Sequence, residues 1–137
     1  MSGLAAVLAG RHAPGVHRWH SALDVDAVRH AVEQAGWRFG YVDGAGLESR
    51  ADVLRALGEA LAFPDHYGAN LDALHDCLRD LPERTVVLWD AWGGVARAEP
   101  RWFAVLVDVV GERGDADPAV EVLLRGPGPE EVVALLD

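Results

Sequence analysis

Apolar residues recur along the chain in two periods, and the alternation between them predicts a series of helices and short strands. After Asp24, the residues Val25, Val28, Val32 and Ala35 follow at helical spacing until Gly36 interrupts them, which predicts an amphipathic helix with Asp24 as its N-cap. Trp37 to Val42 alternates apolar with small or polar residues and runs into Asp43-Gly44, the pattern of a strand and turn. Val53, Leu54, Leu57 and Leu61 form the stripe of a second helix from Ser49 to Leu61, and Phe63-Pro64 ends it. Beyond a turn at Gly68, Asn70 is a good N-cap for a helix through Asp80, which Leu81-Pro82 closes.

Thr85 to Trp89 is a short β-branched run, expected as a strand buried on at least one face. Gly93-Gly94 is expected to break the chain. A helical stripe of Trp102, Phe103, Leu106, Val109 and Val110 then ends at Arg113-Gly114. Ala119 to Leu124 is the last predicted strand, ahead of Gly126-Pro127-Gly128-Pro129 and an acidic tail that is helical from Pro129. Residues 1–23 show no clear period and fit either a docked arm or a loose leader. Strands separated by helices require crossovers, so a small, mostly parallel sheet with packed helices is expected. We divide the chain into an N-terminal extension (1–36), a main domain (37–125) and a C-terminal tail (126–137).

Charge narrows the partners. Among the 137 residues, 22 acids face 12 bases, all of them Arg, for a formal charge of −10. Such a field repels a phosphate backbone, which argues against nucleic acid as a direct partner and favours a basic protein. Cys77 is the only cysteine, so no intrachain disulfide forms, which suits a reducing compartment. No apolar run reaches the length of a membrane span, and the apolar start at Leu4 lacks a basic flank, so a cytoplasmic location is expected.

The helix after Asn70 carries the candidate chemistry. At 100° per residue, Leu71, Leu74, Cys77, Leu78 and Leu81 fall within an arc of about 120° that faces the core. Asp72, Asp76 and Asp80 lie together on the opposite side. Their i, i+4 spacing sets like charges against each other at a cost of roughly 0.2–0.5 kcal/mol per pair. An external cation would relieve that repulsion, and a merely solvated acidic face is the competing reading.

The segment Phe63-Pro64-Asp65-His66-Tyr67-Gly68-Ala69-Asn70-Leu71-Asp72-Ala73-Leu74-His75-Asp76-Cys77-Leu78 resembles the signature of the barstar family of ribonuclease inhibitors. The order of elements agrees with that family over roughly residues 37–125. The resemblance implies an α/β fold, with a small three-stranded parallel sheet flanked by helices and here an extra N-terminal helical extension. It also implies a non-enzymatic protein, without cofactor or metal, that plugs the active site of a basic microbial ribonuclease, barnase-like or related, in a 1:1 complex. On that resemblance Asp76 takes the place of the scissile phosphate, and Asp72, Tyr67 and Gly68 contact the enzyme beside it. His66, His75 and Asp80 share the surface, and Asp108 or Glu112 supplies an acidic edge. His75 stands where an aromatic anchor is known in the family, so the expected target is a relative of the usual enzyme.

Alternatives stay open. The same chemistry serves an immunity protein against a ribonuclease toxin, and a small hydrolase could use the Asp and His residues. His75-Asp76 is a poor acid/base pair because helical neighbours point to different faces. His17 and His20 lie in a Gly/Pro-flanked segment without metal-ligand spacing. Cys77 is expected to be buried and inert, and the five Trp to pack the core.

Overall fold

The computed structural model describes residues 3–12, 14–65, 67–129, 133, 135 and 136. Along them run α1 (Gly3–Leu8), β1 (Val16–Arg18), α2 (Val25–Gln34), β2 (Arg38–Asp43), α3 (Arg50–Ala60) and α4 (Leu71–Arg79). There follow β3 (Thr85–Asp90), α5 (Gly93–Ala98), α6 (Pro100–Gly111), a 3-10 turn (Glu112–Asp115) and β4 (Val120–Arg125). The strands form one parallel sheet in the order β1-β4-β3-β2.

The central strands are apolar without interruption because both faces of the sheet are covered. Val87 and Trp89 of β3 pack with α3, α4 and α6, while Val86 and Leu88 pack with α1 and α2. The first layer holds Leu57, Leu74, Leu78, Phe103 and Leu106; the second holds Val7, Val28 and Val32. All five Trp, at positions 19, 37, 89, 92 and 102, are buried.

The predicted caps are present: Asp24 accepts the Ala27 N–H at 2.7 Å and Asn70 that of Ala73 at 2.8 Å, and Ser49, expected as the first residue of its helix, caps it instead by accepting the Asp52 N–H at 3.1 Å.

Three strands are expected from the sequence and four are found. The additional one, β1, pairs Val16 with Val122 and Arg18 with Leu124. Three residues cannot display a period of two, so β1 exists because the edge of β4 offers it hydrogen-bond partners. Of the two readings of the N-terminal residues, the docked arm is the one found, with Val7 and Trp19 in the core. Its anchor is Glu121 of β4, fully buried, whose carboxylate accepts the Gly15 N–H at 2.6 Å and lies 3.1 Å from His17 Nδ1. Burial pushes the Glu121 pKa above the usual carboxylate range, against the opposing hydrogen bond from His17.

Gly93-Gly94 does not break the chain but opens α5. A Cβ on Gly93 would collide with the Pro127 carbonyl oxygen, so close packing rather than a turn explains this glycine. The helix expected from Pro129 falls largely on residues outside those described. At its end, residue 135 bridges in parallel with Arg18, and the Leu136 N–H donates to the Arg18 carbonyl at 2.7 Å.

Candidate functional site: the acidic helix α4

The ends of the loop between α3 and α4 are held by two alanines in the left-handed region, Ala62 at φ 54° and Ala69 at φ 50°. Between them Tyr67 turns inward. Its hydroxyl donates to the Leu54 carbonyl at 3.1 Å, and its ring meets Phe63 edge-on at 5.0 Å. A Cβ on Gly58 would lie 2.8 Å from that ring, so glycine leaves the space the tyrosine occupies. Burial, with a further contribution from Cys77, pushes the Tyr67 pKa up to about 12. Tyr67 therefore fixes the loop, with its hydroxyl turned inward to α3. Gly68 beside it is exposed, and His66 lies outside the described residues.

α4 buries Leu74, Leu78 and the following Leu81, which turns the opposite side outward. Asp72, Asp76 and Asp80 are all exposed there, with Asp76 nearest the crest. Asp76 and Asp80 line a groove of about 510 Å³ together with Phe63, Tyr67, Cys77 and Arg79. Asp72, at the N-terminal end of the helix, lines another of about 590 Å³ with Arg50, Asn70 and Trp102. The space between sheet and helices beneath is only about 20 Å³ and wholly apolar, too small for a ligand.

The charges on the crest are linked. Arg79 donates to Asp76 Oδ1 at 3.2 Å, and His75 Nδ1 lies 3.6 Å from the same oxygen. The other imidazole nitrogen, Nε2, lies 3.9 Å from Glu112 Oε2, at the turn after α6. The expectation that His75 and Asp76 point to different faces is thus relaxed, although 3.6 Å is too long for a hydrogen bond. Asp108, one turn before Glu112, is exposed on α6. The structure therefore brings together Asp76, His75 and Glu112, carries Asp72 and Asp80 on the same helix, and places Asp108 on the adjoining one. The Arg79 pair escapes an i, i+4 reading of the sequence; its signal is an i, i+3 neighbour of opposite sign.

Cys77 is half-buried rather than buried. Burial raises its pKa, and the Asp80 and Asp76 carboxylates raise it further, so the thiol stays protonated. Among the described residues no group of three or more His, Cys, Asp or Glu could hold a metal ion, and no helix is long and apolar enough to cross a membrane.

A family model described as Barstar (barnase inhibitor) matches residues 37–124, more than half of the chain and the whole of the site. Among solved structures, the Aeropyrum pernix ORC2 protein (ADPNP–ADP complexes) is similar at 16% identity and a TM-score of 0.61, covering 91% of this chain and 38% of that one. The Walker-type ATPase PABY2304 of Pyrococcus abyssi is similar at 10% identity and a TM-score of 0.49, covering 89% of this chain and 42% of that one. This chain thus spans less than half the length of either, and the ORC2 likeness concerns the layered fold alone.

Proposed function

This chain belongs to the barstar family of barnase inhibitors, and from that premise we propose that it blocks a basic microbial ribonuclease by laying α4 across the enzyme's active site. The observation that carries the reading is the exposed crest of α4 within the matched region, where Asp76 stands between Asp72 and Asp80 with Glu112 close by. A ribonuclease concentrates Arg, Lys and His to hold phosphate and stabilise transition-state charge. A carboxylate that enters this cluster accepts the same charge-assisted hydrogen bonds, so Asp76 stands in for the scissile phosphate. Asp72 and Asp80 extend the contact along the helix. His75 and the acidic edge of Glu112 and Asp108 meet the enzyme on the α6 side, and Gly68, His66 and the Tyr67 ring on the loop side. No bond is made or broken; the enzyme stops because its cation site is filled.

The recognition unit lies within residues 37–125; ahead of it, α1 and α2 pack on the opposite face of the sheet and β1 extends its edge. We propose a 1:1 complex in the cytoplasm, serving self-protection or immunity to a toxin of the same chemistry. The test is titration of the purified chain into an RNA-cleavage assay with barnase and a panel of microbial ribonucleases at several salt concentrations. Activity lost at one equivalent, with affinity weakened by salt, is the expected result. Absence of stoichiometric inhibition across the panel would overturn the reading.

A further inference from the structure

The carboxylate proposed to enter the enzyme already has a cation on it. Arg79 Nη2 lies 3.2 Å from Asp76 Oδ1, and both side chains are more than half exposed, at 57% and 61%. A cation in the last turn of a helix is favourable in itself, because it faces the negative end of the dipole. The dipole accounts for a basic residue near position 79, but it does not prepare α4 to meet a cluster of cations. The enzyme's cluster brings cations of its own to Asp76, and a guanidinium already held there adds one more positive charge at the centre of the interface, where water is excluded and like charges repel strongly. Arg79 thus competes with the enzyme's cations for Asp76 as the complex closes.

We infer that Arg79 is a specificity-determining residue, an internal cation that occupies Asp76 in the free inhibitor and competes with the partner for it. This rests on the reading of α4 as the inhibitory helix. A ribonuclease is held only if its cations outcompete Arg79, or if it presents an acid that receives the released guanidinium. Arg79 thereby discriminates between ribonucleases that share the same phosphate site.

The two effects of Arg79 separate in time. Its charge acts at long range, slows the approach of any cationic partner and is screened by salt. Its hold on Asp76 is broken only as short-range contacts form, so that part is expressed in the rate of dissociation.

The test is stopped-flow association and competition-chase dissociation with barnase, comparing the wild-type chain with Arg79→Gln, which keeps the helix propensity and most of the stem. Dissociation should slow by about twofold, the worth of an exposed helical ion pair, while the gain in association rate, which acts over longer range, fades more steeply with salt. Binding of barnase by Arg79→Gln when the wild-type chain fails to bind also supports the inference. Dissociation unchanged, with only association faster, reduces Arg79 to a peripheral charge and overturns it. Faster dissociation shows that Arg79 itself contacts the enzyme and overturns it as well. Should neither protein inhibit barnase or any of the panel, the reading of α4 fails and the inference with it, an outcome distinct from failure of Arg79 alone.

Discussion

Glu121 is a single buried side chain that ties the N-terminal arm to the edge of the sheet, beside the backbone pairing of β1 with β4. Its side chain is 0% exposed, and one oxygen accepts the Gly15 N–H at 2.6 Å while the other meets His17 Nδ1 at 3.1 Å. Glu121→Ala would leave the Gly15 donor buried without a partner, at a cost of about 1–3 kcal/mol. It would also remove buried side-chain atoms at about 0.8 kcal/mol per methylene. Together these amount to roughly 2–4 kcal/mol, or a melting temperature lower by roughly 3–5 °C for each kcal/mol at this chain length.

Glu121→Gln behaves differently. The amide oxygen still accepts from Gly15, the amide nitrogen donates to an unprotonated His17, and no charge has to be buried. The pH dependence is set by the direction of the Glu121 shift. Its folded pKa is raised above the ordinary 4.5 by burial, so between the two values the folded state binds more protons than the unfolded one. Its contribution is then fully present below about 4.5 and is lost as pH rises through the folded pKa. Subtracting wild type from Glu121→Gln cancels the groups that do not interact with residue 121, while His17, 3.1 Å from the carboxylate, remains part of the difference. Urea unfolding followed by tryptophan fluorescence, repeated across pH, should show the Gln variant gaining on wild type as pH rises above 4.5. A Gln variant as unstable as Ala at neutral pH, or a difference that does not change with pH, would refute the reasoning.

The same structure sets other outcomes. Asp76→Ala should raise the dissociation rate from barnase far more than Asp80→Ala, because buried paired charges govern dissociation and peripheral ones association; equal effects in surface-plasmon traces would remove Asp76 from the centre. Ala69→Gly, at φ 50°, relieves a left-handed alanine and should stabilise the fold by up to about 1 kcal/mol in urea unfolding, with a loss of stability as the contrary result. Cys77, kept protonated by burial and by Asp80 and Asp76, should react with a thiol reagent more slowly in the native chain than in urea despite its partial exposure; equal rates would show a reactive thiolate.

The legible part of the fold is written locally. The N-caps at Asp24 and Asn70, and the helical stripes of α2, α3 and α4, are short-range patterns whose geometry is set by the residues themselves, and each is where the sequence puts it. The features that the sequence hides depend on segments far apart in the chain. β1 is a strand only because β4 lies next to it, and α5 begins at Gly93-Gly94 because Pro127 closes over it. Glu121 looks like the solvent-facing position of an alternating strand, yet it is buried because the arm covers that face of the sheet. Period and composition carry no record of such contacts.

The acidic face of α4 needs the same distinction. Three carboxylates at i, i+4 spacing suggest a repulsion that only an outside cation relieves, but Arg79 already pairs with the central one and His75 lies beside it. An exposed helical pair of this kind contributes about 0.3–0.5 kcal/mol, comparable to one of the repulsions it sits among. The free helix is therefore close to electrostatic balance, and strain in α4 is not what points to a partner. The pointer is position: the carboxylates line two open grooves, on the side of a helix whose other side buries Leu74 and Leu78 and is thereby fixed in rotation. A balanced helix can wait in solvent without a partner and still present Asp76 to one that displaces Arg79. On the proposed reading, exchange of cations at Asp76, rather than relief of repulsion, is what α4 undergoes when a partner docks.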